Sequence, residues 1–255
     1  MSRKAALTLF AAVTVLVVAA MFLAPRVAQP LAYHNFADQR GWLGIPNFGD
    51  VASNVAFAVV GIWGLFFLSS GAGRAVFLDP RERWPYVFVF FGMLLTAFGS
   101  AYYHLDPNND RLVWDRLPMT IVFMGLVSAM ICERISLRAG LWLLPFLLAL
   151  GVASVLQWHW SEVHSQGDLR FYAAVQVYAA LVLLVSLCLP ARYTRGSDLA
   201  VVVGFYGLAK ILETFDKPIF SALHVASGHT LKHLAAALAG YWILRMLEKR
   251  RSAGV

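Results

Sequence analysis

Long apolar runs alternate with short polar connections from one end of the chain to the other. Eight runs come near the roughly 20 residues that a helix needs to cross the hydrocarbon core of a bilayer. They cover 5–24, 50–70, 84–104, 113–132, 138–157, 171–190, 198–215 and 219–247. They are too long and too evenly apolar for barrel strands, which alternate over about ten residues. Backbone N–H and C=O groups in lipid must pair within their own segment, so the runs predict helices. The pattern therefore predicts an all-α, polytopic membrane helix bundle. A seven-helix core over 31–247 follows one extra N-terminal transmembrane helix and linker (1–30) and precedes a basic tail (248–255). The first run, behind Arg3 and Lys4, reads as a retained signal-anchor. The stretch Ala24-Pro25-Arg26-Val27-Ala28 lacks a clean small-x-small cleavage site.

Composition narrows the class. Of 255 residues, 60% are hydrophobic and 14% charged. A soluble domain carries about 45–50% apolar and about 25% charged residues, so an ordinary cytosolic enzyme, a disordered chain and a secreted disulfide scaffold are excluded. The net charge of +7 would suggest nucleic acid in a soluble protein. Here the cations sit in short loops. With the N-terminus in the cytoplasm, that side holds roughly twice as many Lys and Arg as the other, which predicts cytoplasmic termini and no nucleic-acid partner. Such short loops suit a bacterial inner membrane. Many of the acidic residues fall near the opposite face, and Asp50, Asp110 and Asp168 read as loop-solvating groups. Cys132 and Cys188 have no CxxC spacing and read as packed thiols.

Ionisable groups inside a membrane are expensive, so each needs an explanation. The third run ends Gly99-Ser100-Ala101-Tyr102-Tyr103-His104, with Ser100 and His104 on one helix face. The fourth opens Val113-Trp114-Asp115-Arg116-Leu117-Pro118-Met119, and the last carries His229-Thr230-Leu231-Lys232-His233. Two imidazoles at i, i+4 are one way for a helix to hold a divalent metal. Bonds to neighbouring carbonyls, or a water-lined cavity, are equally open readings of that pair alone. The predicted topology brings His104 to the same membrane face. Three His with no nearby Cys match a catalytic zinc pattern, which leaves the fourth position for water. His34, His159, His164 and His224 read as loop or interface histidines. Lys210, Glu213, Asp216 and Lys232 read as an ion-pair network tying the last two runs together.

These residues together resemble the alkaline ceramidases, part of a superfamily of seven-helix membrane hydrolases that includes the adiponectin-receptor-like proteins. Ser100-Ala101-Tyr102-Tyr103-His104 resembles the family's Ser-x-x-x-His box. Asp115-Arg116-Leu117-Pro118-Met119 resembles its Asp-Glu-Leu-Pro-Met box, with Arg in place of Glu. Asn47-Phe48-Gly49-Asp50-Val51-Ala52-Ser53-Asn54 resembles the opening of its first helix, and Asp216 falls where its sixth helix has an Asp. The resemblance spans roughly residues 34–247.

The resemblance implies a zinc-dependent amidase acting on ceramide-like lipids to release a fatty acid and a sphingoid base. His104, His229 and His233 would hold Zn2+. Asp115 would carry the proton, and Ser100 would donate to the developing oxyanion. For Ser100 a hydroxyl bonded back to the i−4 carbonyl is the competing reading. The family also binds Ca2+ through an acidic N-terminal loop. Here Asp38 is the obvious acidic remnant, and Asn47 stands where the family has Glu. No protein partner is predicted, and the bilayer with its lipids is the expected environment. The alternatives are an adiponectin-receptor-like sensor, a hydrolase of another lipid amide or ester, and a transporter or haem carrier using the paired His. For haem, Asp115 and Ser100 would have no role.

Overall fold

The computed structural model describes residues 3–253, so residues 1, 2, 254 and 255 of the predicted anchor and tail lie outside the described residues. Helix α1 (Arg3–Leu23) leads through an extended linker and a 3-10 turn at Leu31–His34 to α2 (Phe48–Ala52) and α3 (Val55–Ser69). A short α4 (Gly71–Ala75) and a 3-10 turn at Pro80–Glu82 precede α5 (Arg83–Leu105). Then come α6 (Asn109–Arg134), α7 (Leu137–Val163), α8 (Arg170–Leu187), α9 (Asp198–Thr214), α10 (Asp216–Leu223) and α11 (Gly228–Lys249). Among the described residues every named element is helical.

Six segments are long and apolar enough to span a membrane: Lys4–Leu23, Phe48–Ser69, Pro80–Leu105, Asn109–Arg134, Leu137–Val163 and Arg170–Leu187. The chain has the build of a multi-pass membrane protein. Large apolar side chains such as Val59, Ile62, Phe66, Phe98, Trp142 and Phe146 face outward, which hydrocarbon accommodates and water does not. Helix α9 has 17 residues, and α11 opens with Gly228, His229, Lys232 and His233, so neither matches the six in length or apolarity.

The run expected as one helix over 219–247 is split. α10 ends at Leu223, His224 takes a left-handed conformation (φ 59°), and Ser227 caps a new helix by accepting from the Thr230 N–H at 3.0 Å. A hydropathy run cannot register this break, because the apolar content continues through Val225 and Ala226 while the backbone turns. Ser227 satisfies one of the free N–H groups that any helix start leaves open.

α5 packs against α3 and α6, α6 also against α7 and α8, and α11 against α3 and α9, while α1 lies against α8. The central contact is the α5–α6 crossing. Pro118 has no N–H, so it cannot bond to the carbonyl of Trp114 four residues earlier. Gly99 packs on that carbonyl, and a Cβ at Gly99 would overlap the Trp114 oxygen. This close approach sets Ser100, the residue after Gly99, on the same chamber wall as Asp115, the residue after Trp114.

The end of the bundle away from the histidines has its own buried polar cluster. Arg250 pairs with Glu133 at 2.5 Å and stacks over Tyr193, with its guanidinium 4.0 Å from the ring centroid. Glu133 also accepts from the Tyr86 hydroxyl at 2.8 Å, and Tyr193 donates to Glu82. The basic tail is therefore docked rather than free at Arg250. Of the two thiols, Cys132 is buried as expected, whereas Cys188, at the C-cap of α8, is exposed.

Gly99→Ala should lower the thermal midpoint in detergent micelles, read by circular dichroism, by the equivalent of about 1–3 kcal/mol, because it overpacks the crossing. Gly204→Ala is the control: nothing lies within 4 Å of the place its new methyl group would take. It should hold or raise the midpoint, since Ala costs a helix about 1 kcal/mol less than Gly.

Candidate metal centre

His104 closes α5, and His229 and His233 occupy the first two turns of α11. Their ring centroids form a nearly equilateral triangle with sides of 4.8, 5.0 and 4.9 Å. All three side chains are buried, and one nitrogen from each lies within 4.8 Å of the others. No other such group of His, Cys, Asp and Glu occurs among the described residues. The Nε2 atoms of His104 and His229 are 3.3 Å apart. Tetrahedral zinc, with Zn–N of about 2.0–2.1 Å, sets its ligand nitrogens about 3.3–3.4 Å apart. The donor set fits zinc on this ground.

The hydrogen bonds fix which nitrogens face inward. Ser53 Oγ donates to the Asp50 carbonyl at 3.1 Å. Its one proton is thereby used, so it accepts from His233 Nδ1 at 2.8 Å. His233 then carries its proton on Nδ1 and a lone pair on Nε2. The Lys232 ammonium, which can only donate, lies 3.3 Å from His229 Nε2, so that atom too presents a lone pair. Asn47 Nδ2 donates to the His104 carbonyl at 2.8 Å. Phe36 closes the loop side of the site, its ring centroid 4.7 Å from that of His104 and 4.3 Å from that of His229.

The start of α11 is held by carboxylates. Asp216 accepts from the His229 N–H and the Ala37 N–H, both at 2.8 Å. Asp50 accepts from Thr230 Oγ1 at 2.7 Å and Ser227 Oγ at 3.3 Å. Negative groups at a helix N-terminus complement its dipole. Gly228 permits the contact from the other side, where a Cβ would overlap the Leu212 carbonyl oxygen.

Three sequence expectations change here. Asp50 does not solvate a loop: it is fully buried, 0% exposed, and braces the helix that carries two of the histidines. Asp216 does not join the ion-pair network. Glu213 alone serves it, accepting from Lys232 at 2.7 Å and Lys210 at 2.9 Å. Asp168 is likewise not a free solvating group, since it pairs with Arg170 at 2.8 Å. Asp110 does stay exposed, where it pairs with His159 at 2.8 Å. His34, read as a loop or interface histidine, is half-buried at an interface and bonds through its two ring nitrogens to the Tyr103 hydroxyl and the Asn109 side chain. The clues to Ser53 and Asp50 lay in the Asn47–Asn54 stretch, but no pattern tied those positions to a helix nearly 180 residues later.

Asp38 is buried beneath Arg40, whose guanidinium donates at 2.7 Å to Oδ1 and 2.8 Å to Oδ2. That pairing holds its carboxyl below the usual carboxylate range. Arg40 also donates to the carbonyls of His224 and Val225. Both oxygens of Asp38 are thus engaged in clipping the linker to the α10–α11 elbow, and among the described residues Asp38 belongs to no cluster of three or more His, Cys, Asp or Glu ligands.

Ser100 and Asp115 are both buried and lie close to each other on the wall of one chamber. They line an elongated, largely apolar chamber of about 950 Å³ together with His233, Phe57, Met93 and Phe123. A second, more polar chamber of about 810 Å³ shares Asp115, Met119, Gln176, Tyr206 and Lys232 with the first. The geometry can hold a metal and set a carboxylate and a hydroxyl beside an apolar tail-sized space. No protein-family model matches the chain, and no curated protein matches it.

Metal analysis of the purified protein should find about one zinc per chain, with none retained by His233→Ala. Ser53→Ala, which removes the Nδ1 acceptor together with the bond to the Asp50 carbonyl, should retain zinc with about 10–100-fold weaker affinity in competition with a chelator, the usual effect of losing a ligand's own partner.

Proposed function

We propose that this protein is a zinc-dependent intramembrane hydrolase that cleaves the amide bond of ceramide-like lipids to a free fatty acid and a sphingoid base. The observation that carries the reading is the convergence of three imidazole nitrogens, one of them from His233, which lines the same mainly apolar chamber as Asp115 and Ser100. The resemblance of the Ser100–His104 and Asp115–Met119 segments to the alkaline ceramidases supplies the substrate class. On this reading α9 and α11 complete a seven-helix core, and α1 is the additional span. The termini face the cytoplasm of a bacterial inner membrane, with the histidine end towards the opposite face.

His104, His229 and His233 would hold zinc, whose Lewis acidity polarises a carbonyl and lowers the pKa of water towards neutrality. The chain's own groups do the rest. Asp115 takes the proton of the attacking water onto a carboxylate oxygen and delivers it to the leaving nitrogen. In the resting site Ser100 sits against that carboxylate. Once Asp115 is protonated, the Ser100 hydroxyl is free to turn its proton to the developing oxyanion. Phe36 keeps loop water away from the imidazoles. The apolar chamber accepts hydrocarbon tails with modest discrimination, because one methylene is worth about 1–3 kcal/mol.

The test is fatty-acid release from ceramide in mixed micelles beside metal content. Asp115→Ala should lose about 10²–10⁴-fold in turnover and keep its zinc. Ser100→Ala should lose about 10²–10³-fold, also with zinc retained. A protein that binds zinc but releases fatty acid from no lipid amide or ester would overturn the hydrolase reading in favour of a membrane sensor.

A further inference from the structure

The second chamber contains a charge that the hydrolytic reading leaves unused. Arg116 is 5% exposed and forms no ion pair among the described residues. Its guanidinium carbon lies 4.1 Å from the Trp158 ring centroid, 4.5 Å from that of Tyr172 and 5.7 Å from that of Tyr33. Nη2 donates to Gln29 Oε1 at 2.5 Å. The nearest carboxylate on that side, Glu162, is one relay away, accepting from the Gln29 N–H at 2.7 Å. Nη1 is buried with no acceptor. A cation in that position costs far more than an unpaired neutral donor. The aromatic rings offset part of this cost through cation–π attraction, but they accept no hydrogen bond from Nη1. A water could satisfy the donor and would still leave the charge uncompensated.

The rest of the chamber does not supply the missing anion. Its charged lining is Asp115, Arg116, Lys210, Glu213 and Lys232. Glu213 is shared between two ammonium groups, and Asp115 faces Ser100 across the α5–α6 crossing. With ordinary protonation the set carries one positive charge in excess. Tyr33, whose hydroxyl donates to Glu213, and Tyr206, whose hydroxyl donates to the Gln176 oxygen, also line it, a polar lining ill suited to a tail. The chamber meets the apolar one at Asp115 and Lys232, so a single amphiphile can place its tails in one and its polar end in the other.

We propose that the Arg116 chamber is a head-group subsite for an oxyanion, a phosphate or carboxylate, borne on the amine half of the bound lipid amide. This inference rests on the hydrolase reading for which bond is cut, and on the chamber alone for what binds. Arg116 presents its free N–H to the anion, and Lys210 and Lys232 supply the surrounding positive potential. Bidentate geometry and permanent charge make Arg the group of choice for such recognition. A neutral head group would leave the excess charge in place and bind less well.

The experiment measures binding apart from turnover. Full-length protein in neutral detergent is titrated with ceramide and with ceramide 1-phosphate of matched chains, and with inorganic phosphate alone. Thermal midpoint and Trp fluorescence are followed. The wild type should bind the phosphorylated lipid at least about tenfold more tightly than the neutral one. Arg116→Gln should bring that ratio to about one, and Arg116→Lys should keep part of it. A midpoint rise with inorganic phosphate alone would support the anion subsite and assign it to a soluble anion. Equal binding of the two lipids by the wild type, with no response to phosphate, would overturn the subsite. So would a preference unchanged in Arg116→Gln. If Arg116→Gln does not fold, Lys210→Gln, at a half-exposed position, replaces it: a preference reduced about threefold or more supports the proposal, and an unchanged one overturns it. Fatty-acid release is scored in parallel. Its absence beside an intact binding preference rejects the hydrolase reading alone, and its presence beside equal binding rejects the subsite alone.

Discussion

A helix that begins inside an apolar bundle exposes N–H groups with no water to satisfy them, and the start of α11 is where this protein meets that constraint. Ser227 at its own N-cap, Asp216 a short way upstream and Asp50 from far earlier in the chain converge on it. Each resolves a local deficit, and together they fix the direction in which the first two turns point. His229 and His233 lie on those turns. Had α10 continued unbroken into α11, the amides of residues 228–230 would bond within the helix, and Asp216 would have no N–H of His229 to hold. The metal centre thus depends on a break in a helix and on the carboxylates that make the break tolerable.

The other half of the site depends on close backbone approach. Gly99 against the unpaired carbonyl of Trp114 draws α5 and α6 together where Pro118 has freed that carbonyl. Ser100, one residue on, meets Asp115, and His104, one turn further, meets the α11 histidines. Both arrangements are rigid-body consequences of packing, so these side chains need no loop to position them. The one loop contribution is the linker after α1, which Arg40 and Asp38 clip to the elbow before α11 and which brings Phe36 over the imidazoles.

Polar groups inside the bundle fall into two kinds. Glu133 with Arg250, and Glu213 with its two lysines, are mutually compensated, and they tie distant segments together. Asp50 satisfies one oxygen through two hydroxyls while its Oδ2 remains unpartnered. Arg116 forms no ion pair among the described residues and is held chiefly by rings and an amide. In a low-dielectric interior an uncompensated charge is the costlier of these conditions, which is why the chamber beside Arg116 stands out from the rest of the bundle.

The chain's periodicity and composition determined by themselves that it is a bundle of long apolar helices, because a bilayer leaves few other ways to pair the backbone. They also determined that Ser100, His104, Asp115, His229 and His233 needed an explanation, since polar groups in apolar runs are conspicuous one by one. Spacing determined that His229 and His233 share a helix face. Tertiary structure alone decided that His104 completes their triangle, that Asp50 and Ser53 brace it, that Asp216 caps a helix instead of pairing with lysine, and that Arg40 already occupies Asp38. The break at His224 was invisible as well, because hydropathy averages over a turn that backbone geometry makes in a few residues. For His104, Asp50 and Ser53 the physical reason is shared: a hydrogen bond or ring contact depends on distance in space, and residues separated by more than a hundred positions acquire that distance only when the helices pack.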